Sequence, residues 1–188
     1  AGVERGQNRL PHDRGGRRIQ QGQGGVLCGA QRGISSMATE IERKFLVVGD
    51  AWRTANGTRI CQGYLNRDKS RKVRVRIAGD SAYLTVKGAT QGNTRAEFEY
   101  GIPLADAEQL LALCDGPTIQ KIRHNVMHQG HLWEVDAFEG ENAGLVVAEI
   151  ELASEDELFV RPPWLGREVS DDSRYFNSQL ASHPYCNW

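Results

Sequence analysis

The chain has 188 residues, a formal net charge of -1 and 39% apolar residues, enough for one domain with its own core or a little more. No run approaches the roughly 18 apolar residues of a membrane span and no secretory leader is visible, so a soluble, cytoplasmic protein is expected. Cys28, Cys61, Cys114 and Cys186 are widely spaced without a Cys-x-x-Cys pair, which suits reduced structural thiols better than zinc ligands or a disulfide framework.

Residues 1–36 stand apart. They hold nine glycines, six arginines and only two acids, Glu4 and Asp13, with no periodic apolar pattern. Such a stretch cannot bury enough apolar surface to offset the entropy of ordering it. A disordered upstream extension is expected there, with Met37 as the natural start of one domain over 37–188. An organelle transit peptide describes it less well, given the glycine load and poor amphipathicity. Beyond the extension, 17 basic residues face 22 acidic ones. A mildly acidic domain is a poor nucleic-acid binder, because counterion release needs a basic surface.

From Met37 onward, alternation and turn residues predict strands at 40–48, 58–66, 70–78, 81–88 and 94–102. Pro103 to Leu113 has helical spacing, closed by Asp115-Gly116-Pro117. Strands follow at 117–128, 131–139 and 144–152. Ala78-Gly79-Asp80-Ser81 and His128-Gln129-Gly130-His131 are compact turns that suit antiparallel neighbours. Shorter helical turns are expected near 50–53 and 155–158, and a terminal helix over 172–182 with Tyr175, Phe176 and Leu180 on its apolar side.

The strands carry an unusual pattern. Residues two apart in a strand share a face, so Glu40, Glu42 and Lys44 project together while Ile41 and Phe45 point away. The same alternation groups Arg74 with Arg76, Thr85 with Lys87, Glu97 with Glu99, Lys121 with Arg123, Glu134 with Asp136, and Glu149 with Glu151. One set of faces thus presents eight carboxylates and six cations. In an open sheet these would simply meet water. Eight antiparallel strands closed into a barrel, with those faces inward, would instead line a tunnel whose buried charges need pairing, hydration or an ion. Hard oxygen donors for a divalent metal beside cations for an anion suit a metal-held polyanion.

These motifs resemble the CYTH superfamily of triphosphate tunnel metalloenzymes, and in particular its short bacterial members. Glu40-Ile41-Glu42-Arg43-Lys44 has the Glu-x-Glu-x-Lys form. Gln62-Gly63-Tyr64-Leu65, Arg74-x-Arg76, Leu84-Thr85-Val86-Lys87, Glu97-x-Glu99, Lys121-x-Arg123, Glu134-Val135-Asp136 and Ala148-Glu149-Ile150-Glu151-Leu152 follow in order. Trp164-Leu165-Gly166-Arg167-Glu168-Val169-Ser170 with Arg174-Tyr175 completes the likeness, which covers 37 to about 182. The resemblance implies a mainly β (α+β) fold: an eight-stranded antiparallel closed barrel with a few flanking helices and a C-terminal helix.

It also implies metal-dependent hydrolysis of inorganic triphosphate to pyrophosphate and phosphate. Glu40, Glu42, Glu149 and Glu151 would hold Mg²⁺ or Mn²⁺, with Asp136, Glu97 and Glu99 serving a second metal or its water shell. Arg74, Arg76, Lys87, Lys121 and Arg123 would grip phosphate oxygens. Lys44 and Tyr64 would form a catalytic pair beside the attacking water. Thiamine or nucleoside triphosphate hydrolysis and ATP cyclisation are the rivals within the family, and a non-catalytic polyphosphate-binding tunnel is the rival outside it. The partner is a triphosphate-bearing small molecule rather than nucleic acid or membrane, and a homodimer is expected. His124, His128 and His131 fit ordinary surface histidines better than a zinc site, and Trp133 and Trp164 are expected to pack on the barrel exterior.

Overall fold

The computed structural model describes residues 41–53, 56–68, 70–91 and 94–188, all of which belong to one compact unit, Ser35–Trp188. The expected extension 1–36, Met37 as the start, Cys28 and the carboxylate of Glu40 lie outside the described residues. Nine strands run β1 (Ile41–Val47), β2 (Thr58–Asn66), β3 (Arg71–Ala78), β4 (Ser81–Gln91), β5 (Thr94–Ile102), β6 (Ile119–His128), β7 (His131–Phe138), β8 (Val146–Leu152) and β9 (Leu165–Glu168). Helix α1 (Leu104–Ala112) joins β5 to β6, and a short α2 (Asn177–Leu180) lies near the C-terminus.

All neighbouring strands are antiparallel in the order β5-β4-β3-β2-β6-β7-β8-β1-β9. The expected eight-stranded closed barrel is corrected on two points: a ninth strand is present, and the sheet ends in two edges, β5 and β9. The two corrections share a cause. β9 takes the free edge of β1 at Phe45 and Val47, so that stretch of edge cannot receive β5. Four residues are too few for alternation to announce a strand.

The hairpin between β6 and β7 turns at Gln129 (φ 49°) and Gly130 (φ 88°), the two successive positive φ values of a tight type I′ turn. The terminal helix expected at 172–182 is broken in two. A 3-10 turn at Ser173–Tyr175 is capped by the Asp172 carboxylate on the Arg174 amide, and extended Phe176 (ψ 134°) then separates it from α2. The segments near 50–53 and 155–158 are turns without a helix.

Alternation sorts each strand between an apolar and a charged face. On β1, β7 and β8 the apolar face carries Phe45, Trp133, Val135, Ala148 and Ile150, covered by Trp52, Phe159 and Trp164. Trp133 meets Phe159 and Trp164 edge-on at centroid distances of 5.4 and 5.7 Å, so both expected exterior tryptophans lie in this cluster. Each large side chain buried here contributes about 1.5–3 kcal/mol. On β3 and β4, Val75, Ala82, Ile77 and Leu84 pack under α1 through Ala107, Leu110 and Leu111. Gly63 of β2 lets the end of α1 come close, since a Cβ there would sit 2.6 Å from Cys114 Sγ. The opposite, charged face is closed below by Ile119, Phe138 and Val147 against Tyr175, Leu180 and Ala181.

Candidate functional site

The inward residues form two charged clusters, one on each arm of the sheet. On the first arm, register sets Glu42 opposite Glu151, and Lys44 opposite Glu149. Glu134 stands opposite Glu149 on the other side of β8. The Lys44 ammonium bridges Glu42 and Glu149, the latter at 2.5 Å. Arg123 donates twice to Asp136 at 2.7 Å, to Glu149 at 3.2 Å and also to Glu134. Lys121, 0% exposed, is ion-paired with Asp136, itself 1% exposed.

On the second arm, Arg74 donates to Thr85 Oγ1 at 3.0 Å and to Glu99 at 3.2 Å, while the Thr85 hydroxyl donates to Glu99 at 2.8 Å. Lys87 pairs with Glu97 at 2.5 Å. Arg76 Nε donates to Gln62 Oε1 at 3.3 Å, and Gln62 Nε2 donates to the Tyr64 hydroxyl at 3.4 Å.

The two arms share one electrostatic environment. Burial, with the charges of Arg74 and Arg123, pushes Arg76 down to about 10, while Glu99 of β5 and Asp136 of β7 oppose this. Burial likewise raises the Tyr64 phenol, and Glu149 of β8 adds to the rise against three arginines. β2 and β8 are three places apart in the sheet order, so the sheet curls until residues of distant strands sense each other. Around the first arm, burial would raise the Glu149 carboxyl, but Lys44, Lys121 and Arg123 overcome it and hold Glu149 at about 2. Burial pushes the Lys121 ammonium down to about 8 against the pull of Asp136. Arg123 is raised despite burial, because Asp136, Glu134 and Glu149 surround it.

Glu42, Glu149 and Glu151 lie together on neighbouring strands. Glu97 and Glu99 do not join them: they belong to β5, and each is held by a cation of its own arm. Asp136 is occupied by Lys121 and Arg123. Among the described residues no three His, Cys, Asp or Glu side chains already form a metal cluster, and the Lys44 ammonium fills the space between Glu42 and Glu149. The donor chemistry nevertheless fits a hard divalent ion. Glu42 and Glu151 are like charges placed directly opposite, an arrangement that costs stability unless a cation lies between them.

Alternation does not single out several site residues. Gln62, 0% exposed, is uncharged and leaves no charge pattern to read, whereas Thr85, also 0% exposed, stands on the face of Lys87 as strand phase predicts. Lys72 is in phase with Arg74 and Arg76, opposite Lys87 in register, with its ammonium 3.3 Å from Ser178 Oγ and 5.9 Å from the Tyr64 ring centre. The phase of β3 would have revealed it. His124 is buried against Trp52, ring centres 5.2 Å apart, rather than on the surface as expected, and His131 bonds Glu157 at 3.0 Å.

The CYTH domain family matches residues 38–183. A relative from Acetivibrio thermocellus named inorganic triphosphatase is 50% identical over 154 residues, covering 81% of this chain and 99% of that protein. An inorganic triphosphatase from Nitrosomonas europaea is 37% identical over 147 residues, covering 76% and 97%. A crystal structure of an inorganic triphosphatase superposes with a TM-score of 0.60 at 36% identity, covering 77% of this chain and 95% of that one. With its antiparallel sheet, two charged clusters on one face of it and a family match over residues 38–183, the chain belongs to the CYTH domain family.

Proposed function

We propose that this protein hydrolyses inorganic triphosphate to pyrophosphate and phosphate on the concave face of its sheet. The observation that carries this is two clusters on one face of the sheet: carboxylates Glu42, Glu149 and Glu151 on one arm, and Arg74, Arg76 and Lys87 on the other. The names of the two relatives support the same substrate. A polyanion entering between the arms meets guanidinium groups already aimed by Thr85 and Gln62, so little reorganisation is needed as charge builds on the phosphate oxygens.

Each residue then has a task. Arg74, Arg76, Lys87 and Arg123 hold the phosphate oxygens, the arginines through paired donors. Lys121, sealed beneath Asp136, acts by holding that carboxylate on Arg123. Glu42, Glu151 and Glu149 would hold the metal, with Glu40 as the further ligand that the Glu-x-Glu-x-Lys motif implies and Glu97, Glu99 and Asp136 kept as supports of the cations. A bound Mg²⁺ or Mn²⁺ neutralises phosphate charge and makes a water more acidic. Lys44 and Tyr64 flank the attacking water and keep it in line with the terminal phosphorus. In this reading the arms close around the substrate into a tunnel, bringing β5 towards the part of β1 that β9 leaves uncovered.

The cytoplasm suits the free thiols Cys61, Cys114 and Cys186, and among the described residues no helix is long and apolar enough to cross a membrane. The domain spans 37–188, with 1–36 outside it. A homodimer belongs to the same proposal, with sedimentation as its check. The test of function is phosphate release from tripolyphosphate, ATP, thiamine triphosphate and pyrophosphate, with Mg²⁺, Mn²⁺ or EDTA, beside Glu42→Ala. Metal-dependent cleavage of tripolyphosphate, lost in the variant, is expected. Tight binding without turnover would replace the enzyme by a sequestering tunnel.

A further inference from the structure

Lys44 and Glu42 work only if β1 keeps one phase, since a slip of one residue would turn both to the other face. β8 holds one edge of the strand, and the register places Lys44 opposite Glu149 there. The other edge is held at Lys44 by an irregular device. The Val169 amide donates to the Lys44 carbonyl at 2.8 Å. One residue later, where a continuing strand would offer a carbonyl, the Ser170 hydroxyl accepts the Lys44 amide at 3.0 Å. Both backbone groups of Lys44 are thus spent away from β8, so Lys44 and Glu149 form a non-hydrogen-bonded pair, the geometry in which facing side chains come closest.

Ser170 is itself aimed. Its hydroxyl donates to Glu168 Oε1 at 2.7 Å, and the Glu168 carboxylate receives Arg43 Nε at 2.8 Å and Nη2 at 2.5 Å. Arg43 points to the apolar face, its guanidinium 5.4 Å from the Phe45 ring centre and 5.1 Å from that of Phe159. The Arg43 hydrogen bond holds Glu168 below the ordinary carboxylate range, with Ser170 adding to it against burial. An ionised Glu168 can only accept, which sends the serine proton to it and leaves an oxygen lone pair for the Lys44 amide.

We infer that Ser170 is a positioning residue: with Glu168 and Arg43 it locks the backbone of Lys44, and so aims Lys44 and Glu42 into the charged cleft. The sheet pairing explains why this point matters. β9 pairs with β1 at Phe45 and Val47, so Ser170 is the last support on that edge before the strand runs on towards Glu42. The phosphate-gripping cations of β3 and β4 stand on other strands and do not depend on it. This role rests on the triphosphatase reading of the site, but the clamp itself can be measured without substrate.

The test compares Ser170→Val with Ser170→Thr, which have nearly the same shape and differ in the hydroxyl. Amide hydrogen exchange at Lys44, followed by NMR without metal or substrate, should quicken about tenfold in the valine variant and stay near wild type in the threonine variant. With tripolyphosphate, kcat should fall on the order of 10–100-fold for valine while KM moves less than about threefold, and threonine should restore kcat. Glu168→Gln, which weakens the same chain while leaving the serine itself in place, should shift both readouts in the same direction by less. Unchanged Lys44 exchange in Ser170→Val, or equal loss of kcat in the two variants, would overturn the clamp. An inactive wild type with the expected exchange pattern would instead overturn the catalytic reading, and with it the positioning role.

Discussion

At the residue scale, the same charge has different consequences according to what confronts it. Glu151 is exposed and pairs with no described cation, while Glu42 stands opposite it. Glu151→Gln relieves that like-charge pairing and should raise the melting temperature slightly, by about 2 °C or less. Titration of activity with Mg²⁺ or Mn²⁺ should nonetheless need about ten times more metal. Lys121 and Asp136 behave oppositely. Lys121→Met removes one of the two cations on Asp136 but leaves both hydrogen bonds from Arg123, so urea unfolding should show a loss of about 1.5–3 kcal/mol. Adding Asp136→Leu should deepen that loss, because Arg123 then gives up its two hydrogen bonds to the carboxylate. If Lys121→Met were neutral, Asp136 would be satisfied by Arg123 alone.

At the element scale, α1 sits on the convex face only because β2 offers a glycine at 63. The Cβ of an alanine there would meet Cys114 Sγ at 2.6 Å and Cys114 Cβ at 2.9 Å. Gly63→Ala should displace the end of α1 and cost about 1–3 kcal/mol, and Cys114→Ala in the same chain should return part of it, since the nearest clashing atom is then gone. Urea unfolding of the two variants decides this. β2, β5 and α1 were legible because the first two alternate between clear turn residues and α1 keeps helical spacing between Pro103 and Gly116. β9 was not, and neither was the break at Phe176: four residues hold no period, and an extended Phe176 inside an apolar helical pattern is a choice made by packing.

At the scale of the whole molecule, stability and ligand binding meet in the same charges. Glu149 is held at about 2, below its ordinary 4.5. A depressed carboxyl adds stability that is fully present above 4.5 and lost as pH falls through 2. Unfolding midpoints measured in EDTA should fall across that window, and Glu149→Gln should flatten the fall. Lys121 gives the same direction in another window: folding pushes it from 10.5 to about 8, so the unfolded chain binds more protons in between, and the penalty this group places on folding below 8 fades as pH rises to 10.5. Tripolyphosphate with metal should raise the melting temperature with concentration, as any ligand of the folded state does.

Strand phase alone established which residues share a face, and with it the two kinds of charge, the cations Arg74, Arg76, Lys87 and Arg123, and the acids Glu42, Glu149 and Glu151. Period two is a local property of the backbone, so five residues such as Glu40 to Lys44 suffice to show it. What only the tertiary structure decided is which charges meet. Register set Glu42 against Glu151, spent Asp136 on Lys121 and Arg123, and separated Glu97 and Glu99 from the acids of the other arm. It also brought in Gln62 and Ser170, whose uncharged side chains carry no pattern of alternation along the chain. Pairing between strands is fixed by turns, bulges and packing far apart in sequence, and a charge's partner follows from those, not from its neighbours in the chain.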